Sequence, residues 1–463
     1  MVIQKLRPKL LHIARSKRIV FAASVVVGLF VGVNIIMLLT FHGRALPNYY
    51  LGKLAIGGKP LTELQASPAS AILPAKLTFT KDGKSLDQSP EALGVSVNVA
   101  ESLHMSGIMR WLPALSLVGR HHVALSLHID RDKFDKSAGH IDTSLGKPAI
   151  KQHITFDGAT FVIVPNTDGF RINRKTLLSH VMVAFQQGES HLNPPTETTH
   201  ANDHTDLSGQ LQQLQQQINT RLTFNYGGQS TQPTKSDIGK WYVSSGQSME
   251  PSTARIAAFV TAVGQRFGVS GVANQSDLAT ATLYALTKSQ SFNFAVVPNT
   301  SATVIRTYCT AVDGVNSSVL SELNGKLATT YADTRGWNNS GHIAFRHVNS
   351  GCQYTVWMSA ASQMTNFGAI CDSYWNCQVG TSVIMNYNRW TDATPSWNKT
   401  GASLDNYHTM MINHETGHRL GFLDNYTCPK PGGPAPIMLQ QSINLRGCTF
   451  NIWPLASEFT ALN

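Results

Sequence analysis

The sequence predicts an α+β protein. It places small repeated α+β modules in the N-terminal half and a mixed sheet packed on helices at the C-terminal end. Three observations predict this. Short alternating strands meet a turn dipeptide three times before residue 250, helix-period runs lie between them, and past about residue 270 the repeat stops and all six cysteines appear. A chain of 463 residues has room for about two to four domains.

Residues 1–18 carry Lys5, Arg7, Lys9, Arg15, Lys17 and Arg18 and no acid, so much of the net charge of +10 is concentrated there. The remainder is close to balance and shows no basic face, so nucleic acid is not an expected partner. The uncharged stretch "IVFAASVVVGLFVGVNIIMLLTF" (19–41) has the length of a membrane span. Positive flanks stay cytoplasmic. The expectation is a basic cytoplasmic tail (1–18), an uncleaved signal anchor (19–41) and a single-pass protein of the cell membrane whose C-terminal domain is extracellular. A cleaved signal peptide is the other reading, but the apolar core is long for one and no clear small-x-small site follows.

The segments "AKLTFTKDGKSLDQSPEALGVSVN" (75–98), "KQHITFDGATFVIVPNTDGFRINRKTLLSHVMVAF" (151–185) and "TRLTFNYGGQSTQPTKSDIGKWYVSSG" (220–246) each read as a hairpin around DG, DG and GG. Leu207, Leu211, Leu214, Ile218 and Leu222 share one helical face, and 251–268 begins at a Ser/Thr cap and ends at glycine. The polar stretch 188–206, with His191, His200 and His204, reads as a solvated loop. In the C-terminal part, 319–333 reads as helix, 342–348, 353–359 and 381–390 as strands, and "SLDNYHTMMINHETGHRLGF" as a long helix. Cys309, Cys352, Cys371, Cys377, Cys428 and Cys448 form an even set without a CxxC pair, as expected of disulfides in an exported domain. Proximity suggests 371 with 377, 428 with 448 and 309 with 352, out of fifteen connectivities.

The phrase "INHETGHRLGFLDN" (412–425) carries the chemistry. On a helix, His414 and His418 lie one turn apart on one face and can present two imidazole nitrogens to one ion. Zinc favours such donors, and a catalytic zinc takes three protein ligands and keeps one position open. Gly421 can end the helix and turn the chain back, which would bring Asp424 to the metal as third ligand. Alternatively Asp424 caps the turn, and Asn425 or His408 completes the site. Glu415, beside the first ligand but pointing elsewhere, is placed to act as general base on water.

The strand–turn phrases "SPEALGVSVN" and "VPNTDGFRIN" resemble peptidoglycan-binding modules of VanW-like bacterial surface proteins, over about residues 50–270. The resemblance implies contact with wall polymer; a spacer role is the plainer alternative. The 414–424 phrase resembles the metzincin clan of zinc peptidases. Residues 292–460, through "TRGW" (334–337), "NRW" (388–390) and "HETGHRLGF" (414–422), resemble an uncharacterised bacterial metzincin-like family with an HExGHxLG signature. That family usually has histidine where this chain has Asp424. The resemblance implies a metallopeptidase domain over 271–463, a cleft between a sheet edge and the zinc helix, and Met438 packed beneath the metal without ligating it. Here Leu439 and Gln440 follow Met438, where some metzincins have a tyrosine, so no oxyanion-stabilising residue is assigned; Tyr426 is as well explained by packing. The function expected is a surface zinc peptidase acting on peptide or protein. The alternatives are a peptidase of peptidoglycan cross-links and a non-catalytic wall-binding protein.

Overall fold

A computed structural model of the chain describes residues 7–104 and 112–460, the side chains of 7–23, His104 and Ser340 excepted. The protein is mixed α+β. It divides into two compact units, one of residues 1–151 and 166–203, the other of 152–165 and 204–463. Residue 270, where the texture of the sequence changes, lies inside the second.

The first unit builds several small sheets around helices Arg131–Leu145 and Arg174–Gln187. Strands Leu77–Lys81 and Lys84–Gln88 form the hairpin read from 75–98, with Asp82 and Gly83 both at positive φ in its two-residue turn. Each helix opens on a side-chain cap. Asp130 accepts from the Lys133 N–H and Asn173 from the Thr176 N–H. Phe134, Ile141, Leu177, Val181 and Phe185 on these helices enter the core against Leu77, Phe79 and Leu93.

Two expectations about this unit are corrected. The stretch 188–206 is not simply loop: His191–Leu192 pairs with Leu77–Lys81, and Thr196–Thr199 pairs antiparallel with Gly169–Ile172, so polar residues are held extended by backbone hydrogen bonds. The membrane span expected over 19–41 does not stand either. Among the described residues no helix is long and apolar enough to cross a membrane. Helix Arg7–Thr40 takes in all but the last residue of that stretch. Within that run the 6 %-exposed Asn34 is committed to protein, its side chain donating to the Phe30 carbonyl (2.7 Å) and accepting from the Ala114 N–H (3.0 Å). The single-pass membrane localisation, the orientation derived from it and the membrane as partner fall with that span.

The second unit holds a five-stranded sheet: β1 (Val304–Asp313), β2 (Ile343–His347), β3 (Tyr354–Ser359), β4 (Cys377–Val379) and β5 (Ser382–Asn386), in the order β2-β1-β3-β5-β4. All neighbours are parallel except β4, an antiparallel edge strand on β5. The strand read over 381–390 ends at Asn386, whose side chain accepts from the Asn388 N–H and starts a short helix. Helix α1 (Val319–Ala332) and helix α2 (Leu404–Arg419) pack on the sheet and on each other through Leu323, Leu327, Tyr331, Tyr407, Met410 and Met411. A second, three-stranded sheet in this unit, of Gln229–Thr231, Leu222–Tyr226 and Phe292–Ala295, packs with helices Thr253–Arg266 and Gln275–Lys288.

Three disulfides join Cys309 to Cys352, Cys371 to Cys377 and Cys428 to Cys448. They point to folding in an oxidising compartment. The last encloses the segment that carries Met438, with a sequence separation of 20. Replacing Cys428 and Cys448 together by serine should lower stability by about 3 kcal/mol, the loop-closure entropy returned to the unfolded chain. Urea unfolding of the parent and the double variant measures this.

Candidate metal centre

Helix α2 begins at Ser403, whose hydroxyl accepts from the Asn406 N–H (3.1 Å). It ends in a turn that its own sequence dictates. Gly421 sits at φ +104°, its N–H donates to the His418 carbonyl, and the Phe422 N–H donates to the Gly417 carbonyl, both at 3.0 Å. The reversed chain then carries Asp424 back over the last turn of the helix.

The result brings His414, His418 and Asp424 together, with one ligand atom of each within 4.8 Å of the others. Asp424 Oδ1 lies 3.4 Å from His414 Nε2 and 3.3 Å from His418 Nε2. Charge-assisted hydrogen bonds would close to about 2.7–2.9 Å. Donors at about 2.0–2.1 Å around a tetrahedral zinc stand about 3.3–3.4 Å apart, so the spacing fits the edges of a metal site better than a direct contact. Each histidine also turns its other nitrogen to a carbonyl: His414 Nδ1 to Ile437 (2.9 Å) and His418 Nδ1 to Phe422 (2.9 Å). With Nδ1 as the donor, each Nε2 keeps its lone pair for an ion. The donor set fits zinc on these grounds.

The rival third ligands are engaged elsewhere. His408 is stacked on Trp390 with centroids 3.8 Å apart and meets that residue's carbonyl through Nε2 at 2.7 Å. Asn425 accepts from the Thr427 N–H and hydroxyl at 2.9 Å. His200 pairs with Asp168 and His191 contacts Ser190, and neither joins a cluster among the described residues.

Electrostatics set the carboxylates apart. Burial raises the Asp424 pKa, but the two imidazoles of His414 and His418 beside it outweigh that and hold the group well below the usual carboxylate range. Burial pulls His418 down, yet Asp424, the charge of Glu415 and the Phe422 carbonyl push it up to about 9. Glu415 is 6 % exposed and has no hydrogen-bond partner among the described residues. Burial raises its carboxyl, with the two histidines opposing. It lines a cleft of about 360 Å³ together with His414, His418 and Asp424, and Cys377 and Gln378 of edge strand β4 form another part of the wall.

Met438 lies under the helix. A Cβ added at Gly417 would meet its sulfur at 2.3 Å, so glycine there admits the thioether between the two histidine turns. Trp337 closes the same space, donating through Nε1 to the Asn413 carbonyl (2.7 Å) and stacking on Phe422 at 4.9 Å. The surrounding motif residues are scaffold: Arg335 forms two 2.8 Å bonds to the buried Asp333 and lies over Trp453.

The roles of three site residues escaped the sequence reading. Gln440 donates to Asp424 Oδ1 (2.6 Å) and Tyr426 to Oδ2 (3.2 Å), so both oxygens of that carboxylate are held. Glu458 accepts from the backbone of Ile437 and Met438, both at 3.0 Å. Gln440 and Tyr426 sit near the motif, but which way they turn is settled by the loop that follows. Glu458 is twenty residues past Met438 and carries no local signal.

Residues 282–455 match the model of a family described as a protein of unknown function, DUF3152. No curated protein matches. A solved structure described as "Structure of the Ldtfm-avibactam carbamoyl enzyme" is similar at 17% identity over 22% of this chain, with a TM-score of 0.17. The chain spans 53% of that chain's length.

Gly417→Ala should separate Met438 from the helix. The helix gains about 1 kcal/mol of propensity, but overpacking an enclosed site costs about 1–3 kcal/mol, so a net loss of stability is expected. Thermal melting gives the sign, and an unchanged or higher Tm would show that the thioether has room to move.

Proposed function

We propose that the C-terminal part of the chain is a zinc-dependent peptidase. The observation that carries this reading is the tetrahedral-edge spacing of Asp424 Oδ1 from both His414 Nε2 and His418 Nε2, beside a buried Glu415 that forms no hydrogen bond among the described residues. His414, His418 and Asp424 would hold the ion, which when bound supplies a Lewis acid and an acidified water. Glu415 takes the proton from water at its carboxylate and returns it to the leaving amine. Burial raises its pKa above the usual carboxylate value, which makes it a stronger base than an exposed glutamate. Gln440 and Tyr426 keep Asp424 from rotating. The edge strand β4 offers unpaired backbone groups along the cleft, against which an extended peptide can lie. A purely structural ion would have no use for an unpaired buried carboxylate at this place.

The test is hydrolysis by the purified chain, with casein and with wall sacculi as separate substrates and released amines as the readout. Glu415→Gln should keep about one zinc per chain and lose 10²–10⁴-fold in rate, the usual worth of a general base. Cleavage at the parental rate would remove Glu415 from the mechanism. Asp424→Ala should lose most of its zinc on dialysis, whereas full occupancy would remove Asp424 from the ligand set.

The pH dependence follows from His418. Metal binding needs its neutral form, and in the metal-free protein it holds a proton up to about pH 9. Asp424 is already ionised over that range, so uptake should release close to one proton, and zinc should bind roughly tenfold tighter per pH unit between about pH 6 and 8. Calorimetry in buffers of different ionisation enthalpy counts the proton. An affinity flat over that range would contradict the assignment.

A further inference from the structure

We propose that Glu458 is a positioning residue of this metal centre and acts on His414 through a single peptide group; the inference rests on the zinc reading above. The Ile437 carbonyl that accepts from His414 Nδ1 (2.9 Å) and the Met438 N–H that donates to Glu458 Oε1 (3.0 Å) belong to one and the same peptide unit. A carboxylate drawing on one end of an amide makes its carbonyl a better acceptor at the other, because bonds in a chain polarise one another. The sequence carboxylate–peptide–imidazole therefore does what a carboxylate bonded directly to a ligating histidine does. It fixes the ring with Nε2 toward the metal and raises the basicity of that nitrogen.

Two further contacts make the arrangement specific. Glu458 Oε2 takes the Ile437 N–H (3.0 Å) and the Leu455 N–H (2.7 Å), so the carboxylate binds both sides of Ile437 and also caps its own short helix, Ala456–Phe459. Capping alone would use the Leu455 bond and leave the methionine turn untouched. Because Met438 is the residue seated at Gly417, the same carboxylate fixes the height of the thioether under the helix. Phe459, next along, packs edge-on against Trp337 at 5.7 Å and seats the short helix there.

Glutamine separates the two roles. It offers a single carbonyl oxygen, and its NH₂ cannot accept from an N–H. Oriented to keep Ile437 and Leu455, it must give up Met438 and with it the relay. Zinc affinity is measured by competition with a chromophoric chelator for the parent, Glu458→Gln and Glu458→Ala, alongside the melting temperature of each metal-free protein. In the zinc-loaded forms, the imidazole N–H proton resonances of His414 and His418 are followed as well. The expected result is zinc binding weakened 10–100-fold in Glu458→Gln, with metal-free melting lowered less than in Glu458→Ala and the His414 resonance moved while that of His418 stays. Unchanged zinc affinity in the folded Gln variant, whatever its melting temperature, would reduce Glu458 to a structural cap and overturn the proposal. A parent that takes up no zinc overturns the metal reading itself, an outcome distinct from a parent that binds zinc and a variant that binds it equally well.

Discussion

The site depends on two hydrogen bonds at the far side of the imidazoles: His414 Nδ1 to the Ile437 carbonyl and His418 Nδ1 to the Phe422 carbonyl. An imidazole left free presents either nitrogen and rotates about two torsions. Once Nδ1 is committed to a carbonyl, the tautomer and the ring plane are set together, and both Nε2 atoms face one point. Both acceptors belong to segments that follow helix α2 in sequence. The first comes from the methionine turn, the second from the glycine turn, and the geometry of the centre is thereby a property of how the chain returns after residue 419.

The helix can carry such groups because it is buried along most of its length, from Tyr407 to Gly417. Burial removes water as a partner, so each polar side chain requires one from the protein. Thr416 meets the Tyr331 hydroxyl at 3.0 Å, Asn413 donates to the Ile452 carbonyl at 2.8 Å, and His408 takes the Trp390 carbonyl. Near the start of the helix, Asp405 pairs at 2.6 Å with Lys326, whose side chain is 3 % exposed. Burial lowers the pKa of that lysine and Asp405 opposes the shift. Removing Asp405 would strand the buried lysine charge, which makes the pair a register mark between α1 and α2 more than a source of stability. Asn413 Oδ1 and the Glu415 carboxylate are left without a hydrogen-bond partner among the described residues, and of the two Glu415 lines the cleft.

Short-range patterns were readable because local physics decides them. Asp82-Gly83 and Gly227-Gly228 adopt the positive φ that two-residue hairpins require, and the strands around them pair as hairpins. Ser252 and Ser403 cap the helices they precede. The apolar run at 19–41 was misread because hydropathy alone does not show which side chains are committed to protein, as Asn34 is. The strands at 191–192 and 196–199 were missed for a related reason. Their sequence is polar, and their partners lie far away along the chain.

The sequence by itself determined the mixed α+β class, the short disulfide loop of Cys371 and Cys377, the helix bearing His414, Glu415 and His418, and the glycine that ends it. Each of these follows from residues close together in the chain, where spacing and backbone preference suffice. Tertiary structure alone decided that Asp424, and neither His408 nor Asn425, meets the two histidines. It also decided that Gln440 and Tyr426 hold that carboxylate and that Glu458 stands behind the peptide bonded to His414. Those contacts join segments whose separation is set by the packing of Trp337, Met438 and Phe422 around Gly417. The direction in which a loop returns depends on the core it returns to, and that core is assembled from residues spread over 308–459.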